Sequence, residues 1–129
     1  MPPDNPIPVG PGSAVSFPQD GPQSGSIIRF SGTTFELSTV GTYRVSFQVS
    51  VNEPGQLELR LNGLELPYTV VGRATGTSQI VGDSLIDVGA APSSLEVVNP
   101  SGGPTALTVT PAAGGTTAVS ASLVIQKLR

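Results

Sequence analysis

The chain has no cysteine, no histidine and no tryptophan. Without cysteine there is neither a disulfide nor a thiolate metal site. Without histidine the usual general base, the physiological pH switch and the commonest zinc ligand are all missing. Charge is sparse as well, with six basic and nine acidic residues and a net charge of −3. A nucleic-acid surface needs clustered Lys and Arg to neutralise phosphates. Here Arg29, Arg44, Arg60, Arg73, Lys127 and Arg129 are scattered, and no nucleic-acid partner is expected. No apolar run approaches the ~18 residues of a membrane span, so no membrane insertion is expected. The opening residues, "MPPDNPIPVGPGS", have no basic region and no apolar region and do not read as a signal peptide.

Glycine and proline are plentiful, at sixteen and thirteen. Such content can signal disorder, but here these residues cluster between β-patterned segments and read as turns of an all-β domain. At 129 residues the chain is long enough for one domain with a core of its own. With two Tyr and four Phe, that core is mostly aliphatic. Residues 1–13 are Pro/Gly-rich and read as an extended linker or stalk junction. Residues 14–129 are expected to form the single domain.

The clearest strand is "GTYRVSFQVSV" at 41–51. Tyr43, Val45, Phe47, Val49 and Val51 alternate there with Arg44, Ser46, Gln48 and Ser50, and strand side chains point to the two faces in turn. Short strands are expected at 14–17, 26–30 and 33–38. "NEPG" (52–55) is a turn. "QLELRLNG" (56–63) puts Leu57, Leu59 and Leu61 on one face and Glu58 and Arg60 on the other, and ends in the tight-turn pair Asn62-Gly63. A broken strand at 64–74 follows, then strands at 77–88, with a bulge at Gly82, and at 95–99, 105–111 and 118–129. No helical period is sustained. Nine or ten strands at this spacing are the signature of a sandwich or barrel. The expected core comprises Tyr43, Val45, Phe47, Val49, Leu57, Leu59, Leu61, Ile86, Leu107, Val109, Leu123 and Ile125.

The final strand is apolar on both sides. Val119, Ala121, Leu123 and Ile125 share one parity, while Val124 and Leu128 lie on the other. A strand apolar on both faces is covered on both. Scattered surface apolars are one reading. A subunit interface, involving the nearly uncharged outer face of 41–51, is the other. The residues assigned to such an interface are Ile28, Phe30, Gln48, Val124 and Leu128.

Little in the sequence points to catalysis. A nucleophilic Ser or Thr needs a base within reach, and only Lys127 or a carboxylate is available, neither in a motif. The carboxylate pairs that could cleave a glycoside are Glu58 with Glu65 and Asp83 with Asp87. Alternation places Glu58 and Asp83 in solvent as ordinary surface charge. Asp83 and Asp87 share a parity and could ligate a hard cation, but four residues apart on a strand they are separated by roughly 13 Å. The glycine-containing loops 72–76 and 112–115 lack the phosphate-binding pattern, and Pro100 after Asn99 blocks the glycosylation sequon. No metal, no cofactor and no enzyme activity are expected. Tyr68 is the one obvious exposed-aromatic candidate for contacting a ligand, though it would serve equally in core packing.

From residue 15 onward the sequence resembles a known family. "GTYRVSFQVSV" looks like the Gly-x-Tyr strand of tumour-necrosis-factor-like and complement-globular-head jelly rolls. "LRLNG", "PYTVVGRATGTSQIVGDSLI", "LEVVNPSGGPTALTVTP" and "SASLVIQKL" are similar to the C-terminal domain of BclA-type bacterial collagen-like proteins of the spore exosporium. The resemblance implies a jelly-roll β-sandwich of about ten antiparallel strands that forms a homotrimer. It also implies a non-catalytic head that caps a collagen-like stalk at the cell or spore surface. A receptor- or glycan-binding module on the same trimer is the alternative it leaves open. No Gly-X-Y repeat is present, so the stalk is implied by the resemblance alone.

Overall fold

A strand with one apolar face needs a partner sheet to cover that face, and the longest strand sets where the partner lies. The computed structural model describes residues 8–17, 27–74, 78–102, 106–109 and 121–128. Strand β3 (Gly41–Val51) runs the full length of the alternating segment. It pairs antiparallel along its whole length with β7 (Ser78–Val88), from Gly41↔Val88 to Val51↔Ser78. On its other side lies β9 (Ala121–Lys127), from Tyr43↔Lys127 to Val49↔Ala121. The order of this sheet is β7-β3-β9.

The second sheet has the order β1 (Ile27–Arg29), β2 (Phe35–Leu37), β8 (Ser93–Val98), β4 (Gly55–Leu61), β5 (Leu64–Glu65). Strand β6 (Val71–Arg73) pairs with the start of β4. Every strand pair is antiparallel, and the architecture is that of an all-β jelly-roll sandwich. The expected strand at 14–17 and the described part of that at 105–111, residues 106–109, make isolated bridges, Ala14↔Val98, Val9↔Leu107 and Val51↔Val109. Around 14–17 the backbone divides its bonds between two neighbours, Val15 N–H to Val97 O and Phe17 N–H to Gly32 O, so no continuous ladder forms. Val9, inside the expected linker, is buried and bridges Leu107. Residues 1–7, the loop at 18–25, the loop at 112–115 and residues 118–120 lie outside the described residues.

The core lies between the sheets. Nine of the twelve expected core residues are buried, while Leu61, Leu123 and Ile125 are half-buried and pack against them. Val15, Phe17, Leu37, Leu95 and Val97 join from segments whose short apolar runs gave a weaker signal. Full burial of such a side chain contributes about 1.5–3 kcal/mol. Tyr43 is the largest fully buried side chain. Its hydroxyl donates to Thr39 O at 2.7 Å, so its polar end is satisfied.

Three local features follow from single residues. Asn62 and Gly63 both have positive φ, 54° and 79°, the backbone that a two-residue hairpin demands. Gly82 marks no bulge: the β3–β7 register runs through it without an extra residue, with Gly82 opposite Phe47. A Cβ at Gly82 would overlap the Phe47 ring, so the glycine makes room for a buried aromatic.

The third feature is the break between β5 and β6. It falls on a 3₁₀ turn, Pro67–Thr69, because proline cannot donate to the ladder. Buried Thr69 fills the gap: its hydroxyl accepts from Leu59 N–H at 2.9 Å and donates to Leu66 O at 2.7 Å.

Two outcomes follow. Gly82→Ala should lower stability by about 1–3 kcal/mol through overpacking, and adding Phe47→Leu should recover part of that in thermal melts. Thr69→Val, nearly isosteric, leaves the Leu59 N–H without an acceptor and should cost about 1–3 kcal/mol. A melting temperature equal to wild type would show that the hydroxyl is dispensable.

Candidate subunit interface

The outer face of the β7-β3-β9 sheet is built in cross-strand rows. Arg44 lies between Leu85 and Gln126, Ser46 between Asp83 and Val124, and Gln48 between Val81 and Ser122. Leu128 adds to the end, where its N–H bonds Thr42 O at 2.8 Å. Val81, Leu85, Val124 and Leu128 are each about half exposed or more, with Val124 highest at 61 %. Four aliphatic side chains thus stand in solvent on one sheet face.

Two of the three charges on this face, Arg44 and Asp83, pair within the sheet. Arg44 grips Asp83 with two hydrogen bonds, Nε to Oδ1 at 3.0 Å and Nη2 to Oδ2 at 2.6 Å. Ser46 Oγ adds a third to Oδ1 at 2.9 Å. The hydrogen bond from Arg44, then that from Ser46, hold the Asp83 carboxyl down at about 2, and the same pairing raises the Arg44 guanidinium. Asp87 accepts from Thr42 Oγ1 at 2.8 Å. Read along one strand, Arg44 is a lone charge; only the register between strands thirty-nine residues apart supplies its partner. A second surface could cover this pair without stranding a charge.

The sequence-assigned interface residues do not form one patch. Gln48, Val124 and Leu128 belong to the face just described. Ile28 and Phe30 lie on the other sheet, where Ile28 pairs Glu36 and Phe30 N–H bonds Thr34 O. Tyr68, offered as a ligand contact, sits on the 3₁₀ turn beside the first face and donates to Leu85 O at 3.2 Å. Burial of the hydroxyl, then the charge of Asp87, raise its pKa. Tyr68 is not the sole exposed aromatic, since Phe30 is more exposed still, at 77 %.

The carboxylate candidates separate clearly. Asp83 and Asp87 are exposed and held by different partners. Among the described residues no group of three or more metal-ligating side chains converges. Glu58 departs from the alternation reading: it is 3 % exposed rather than solvated. It lies beside buried Val98 and hydrogen-bonds Glu65, which also accepts from Ser101 N–H at 3.4 Å. Burial, reinforced by the hydrogen bond and charge of Glu65, raises the Glu58 carboxyl to about 7, while the bond from Glu58 lowers Glu65. The proton therefore resides on Glu58. Two carboxyls hydrogen-bonded to each other stand closer than the roughly 5 Å or more by which a glycosidase pair brackets its bond, and Glu58 is buried.

The pH dependence follows from the sign of the shift. Unfolded Glu58 loses its proton near 4.5, folded Glu58 near 7. Between these values the folded state holds the extra proton, so stability falls as pH rises from about 4.5 to about 7 and then levels. Glu58→Gln keeps a donor toward Glu65 without a titrating proton. Its melting temperature should therefore rise relative to wild type across that window; parallel curves would contradict the assignment.

Comparison with known proteins gives one family. The model of the BclA C-terminal domain matches residues 4–129. A search of curated proteins gives no match. Since the match spans nearly the whole sequence, the chain belongs to the family of BclA C-terminal domains.

Proposed function

We propose that the domain is a non-catalytic homotrimeric head that aligns and caps a collagen-like filament on the outer surface of a bacterium or its spore. Membership of the BclA family implies the head domain of a collagen-like surface protein and suggests a surface location. The observation that carries the trimer is the outer face of β7-β3-β9. Val81, Leu85, Val124 and Leu128 surround an ion pair that is already neutralised, on a face whose other side chains are mostly uncharged. Burying four aliphatic side chains is favourable, and no unpaired charge has to be desolvated at the centre.

Trimer geometry narrows the interface. In a closed ring of three, the directions from one subunit to its two neighbours subtend about 60°. The two outer faces of a sandwich look in nearly opposite directions, so both cannot be covered in a compact trimer. Gln48, Val124 and Leu128 stay in the interface, joined by Val81 and Leu85, and Ile28 and Phe30 are left outward. A collagen-like stalk gains from such a head because three chains must be aligned before any of them makes a contact. Tethering raises their effective concentration to the millimolar range.

Size-exclusion chromatography with light scattering should report three times the 13.0 kDa chain mass at micromolar protein. Val124→Asp, which puts a bare charge into the patch, should shift the particle to monomer, whereas Phe30→Asp should leave it trimeric. A wild-type monomer at high concentration would overturn the proposal.

A further inference from the structure

Glu58 and Val98 lie opposite each other on the outer side of the second sheet, yet both are buried. Something beyond the sheet therefore covers them, and two turns do so. Gly12 O accepts from Arg60 Nη1 at 3.0 Å. Ser101 N–H donates to Glu65 Oε1 at 3.4 Å. Ala14 bridges Val98. These contacts bracket Glu58 on the outer face. Buried Asn99 ties the two turns together. Its carbonyl accepts from Gly12 N–H at 2.8 Å, its N–H donates to Ser13 O at 3.0 Å, and its Nδ2 donates to Val9 O at 2.9 Å.

We infer that residues 10–13 and 99–102 form a lid over Glu58 that is closed while Glu58 keeps its proton and opens when Glu58 ionises. Two carboxyls can hydrogen-bond each other only while one of them is protonated. Ionised Glu58 would lose that bond, face the charge of Glu65 and stay out of water, which is costly. Its neighbours give little relief. Glu65 faces it from β5 and Arg60 from its own strand, and Arg60 Nε is already bonded to Glu96 of β8 at 2.9 Å. Neither 10–13 nor 99–102 carries an ionisable side chain. The flank of Glu58 toward β8 is a continuous ladder, whereas the lid is held by a few turn contacts, so water enters from the lid side. Burial, then the bond and the charge of Glu65, hold the Glu58 carboxyl at about 7 with the lid closed, against 4.5 in water. The closed lid thus holds the extra proton. Its stability is complete below about 4.5 and is lost as pH rises to about 7. The lid belongs to one protomer and needs no trimer. On the filament reading, residues 10–13 lead toward the stalk and opening would slacken the grip of the head; that consequence alone rests on that reading.

The test is native-state hydrogen exchange of the ¹⁵N-labelled full chain from about pH 4.5 to 8, in low concentrations of urea, with protection corrected for intrinsic exchange rates. Protection of the Gly12 and Asn99 amides should fall by up to about tenfold per pH unit as pH rises to about 7, then level. It should depend little on urea, the mark of a local opening, whereas Val45 in β3 should show the full dependence of global unfolding. The Leu128 amide, bonded to Thr42 O, should open locally without the pH slope. Glu58→Gln should abolish the slope at Gly12 and Asn99. A flat profile in the wild type, a urea dependence equal to that of Val45, an equal slope at Leu128, or a slope that persists in Glu58→Gln would each overturn the inference. The wild-type series decides it even where the variant does not fold, and no outcome depends on the mass measured by light scattering.

Discussion

Eleven residues of β3 are paired one for one with β7, and seven of them are paired again with β9. Because strand side chains alternate, that single register decides the fate of every side chain in the sheet. It sends Tyr43, Val45, Phe47, Val49 and Val51 into the core. It also lines up Arg44 with Asp83 and collects the aliphatic residues of β7 and β9 on the outside. A slip of β3 by one residue would expose its core face and part Arg44 from Asp83. Gly82 protects the register from within, since only a residue lacking Cβ fits opposite Phe47.

The second sheet solves a different problem. Its strand β4 is flanked by β8 on one edge and by the interrupted β5–β6 run on the other. Where proline breaks the run, a side-chain hydroxyl takes over the missing backbone bond. Glu53 performs a similar service at the β3–β4 turn, accepting from both the N–H and the hydroxyl of Thr108, at 2.6 and 2.7 Å. The bond from the Thr108 N–H is the main reason its carboxyl titrates low. The domain has no cross-links, so its loops are held by such polar clasps and by the core.

Much of this was legible in the sequence, and the gaps have physical causes. The alternation of 41–51 and the Asn62-Gly63 turn are local signals, and both appear where expected. Alternation assigns parity but does not say what covers a face. Leu57 and Leu59 are therefore placed correctly while Glu58, on the outer side, is buried against Glu65. The segments at 14–17 and 107–109 have strand composition, but their partners lie far along the chain and break the ladder into bridges. The outward apolar character of Val124 and Leu128 was visible from parity alone. Their grouping with Val81 and Leu85 required the register of three strands, as did the separation of Ile28 and Phe30 from that group.

The ends of the described chain are tied to opposite poles of β3. Val9 is bonded to Leu107, beside the segment that bridges Val51, while Leu128 is bonded to Thr42. The ten residue steps between Gly41 and Val51 span roughly 33 Å. A cargo fused behind the last residue would therefore ride at the pole farthest from the leading segment. Tension between the two ends would load β3 and its neighbours along their length, in shear, where many hydrogen bonds must yield together.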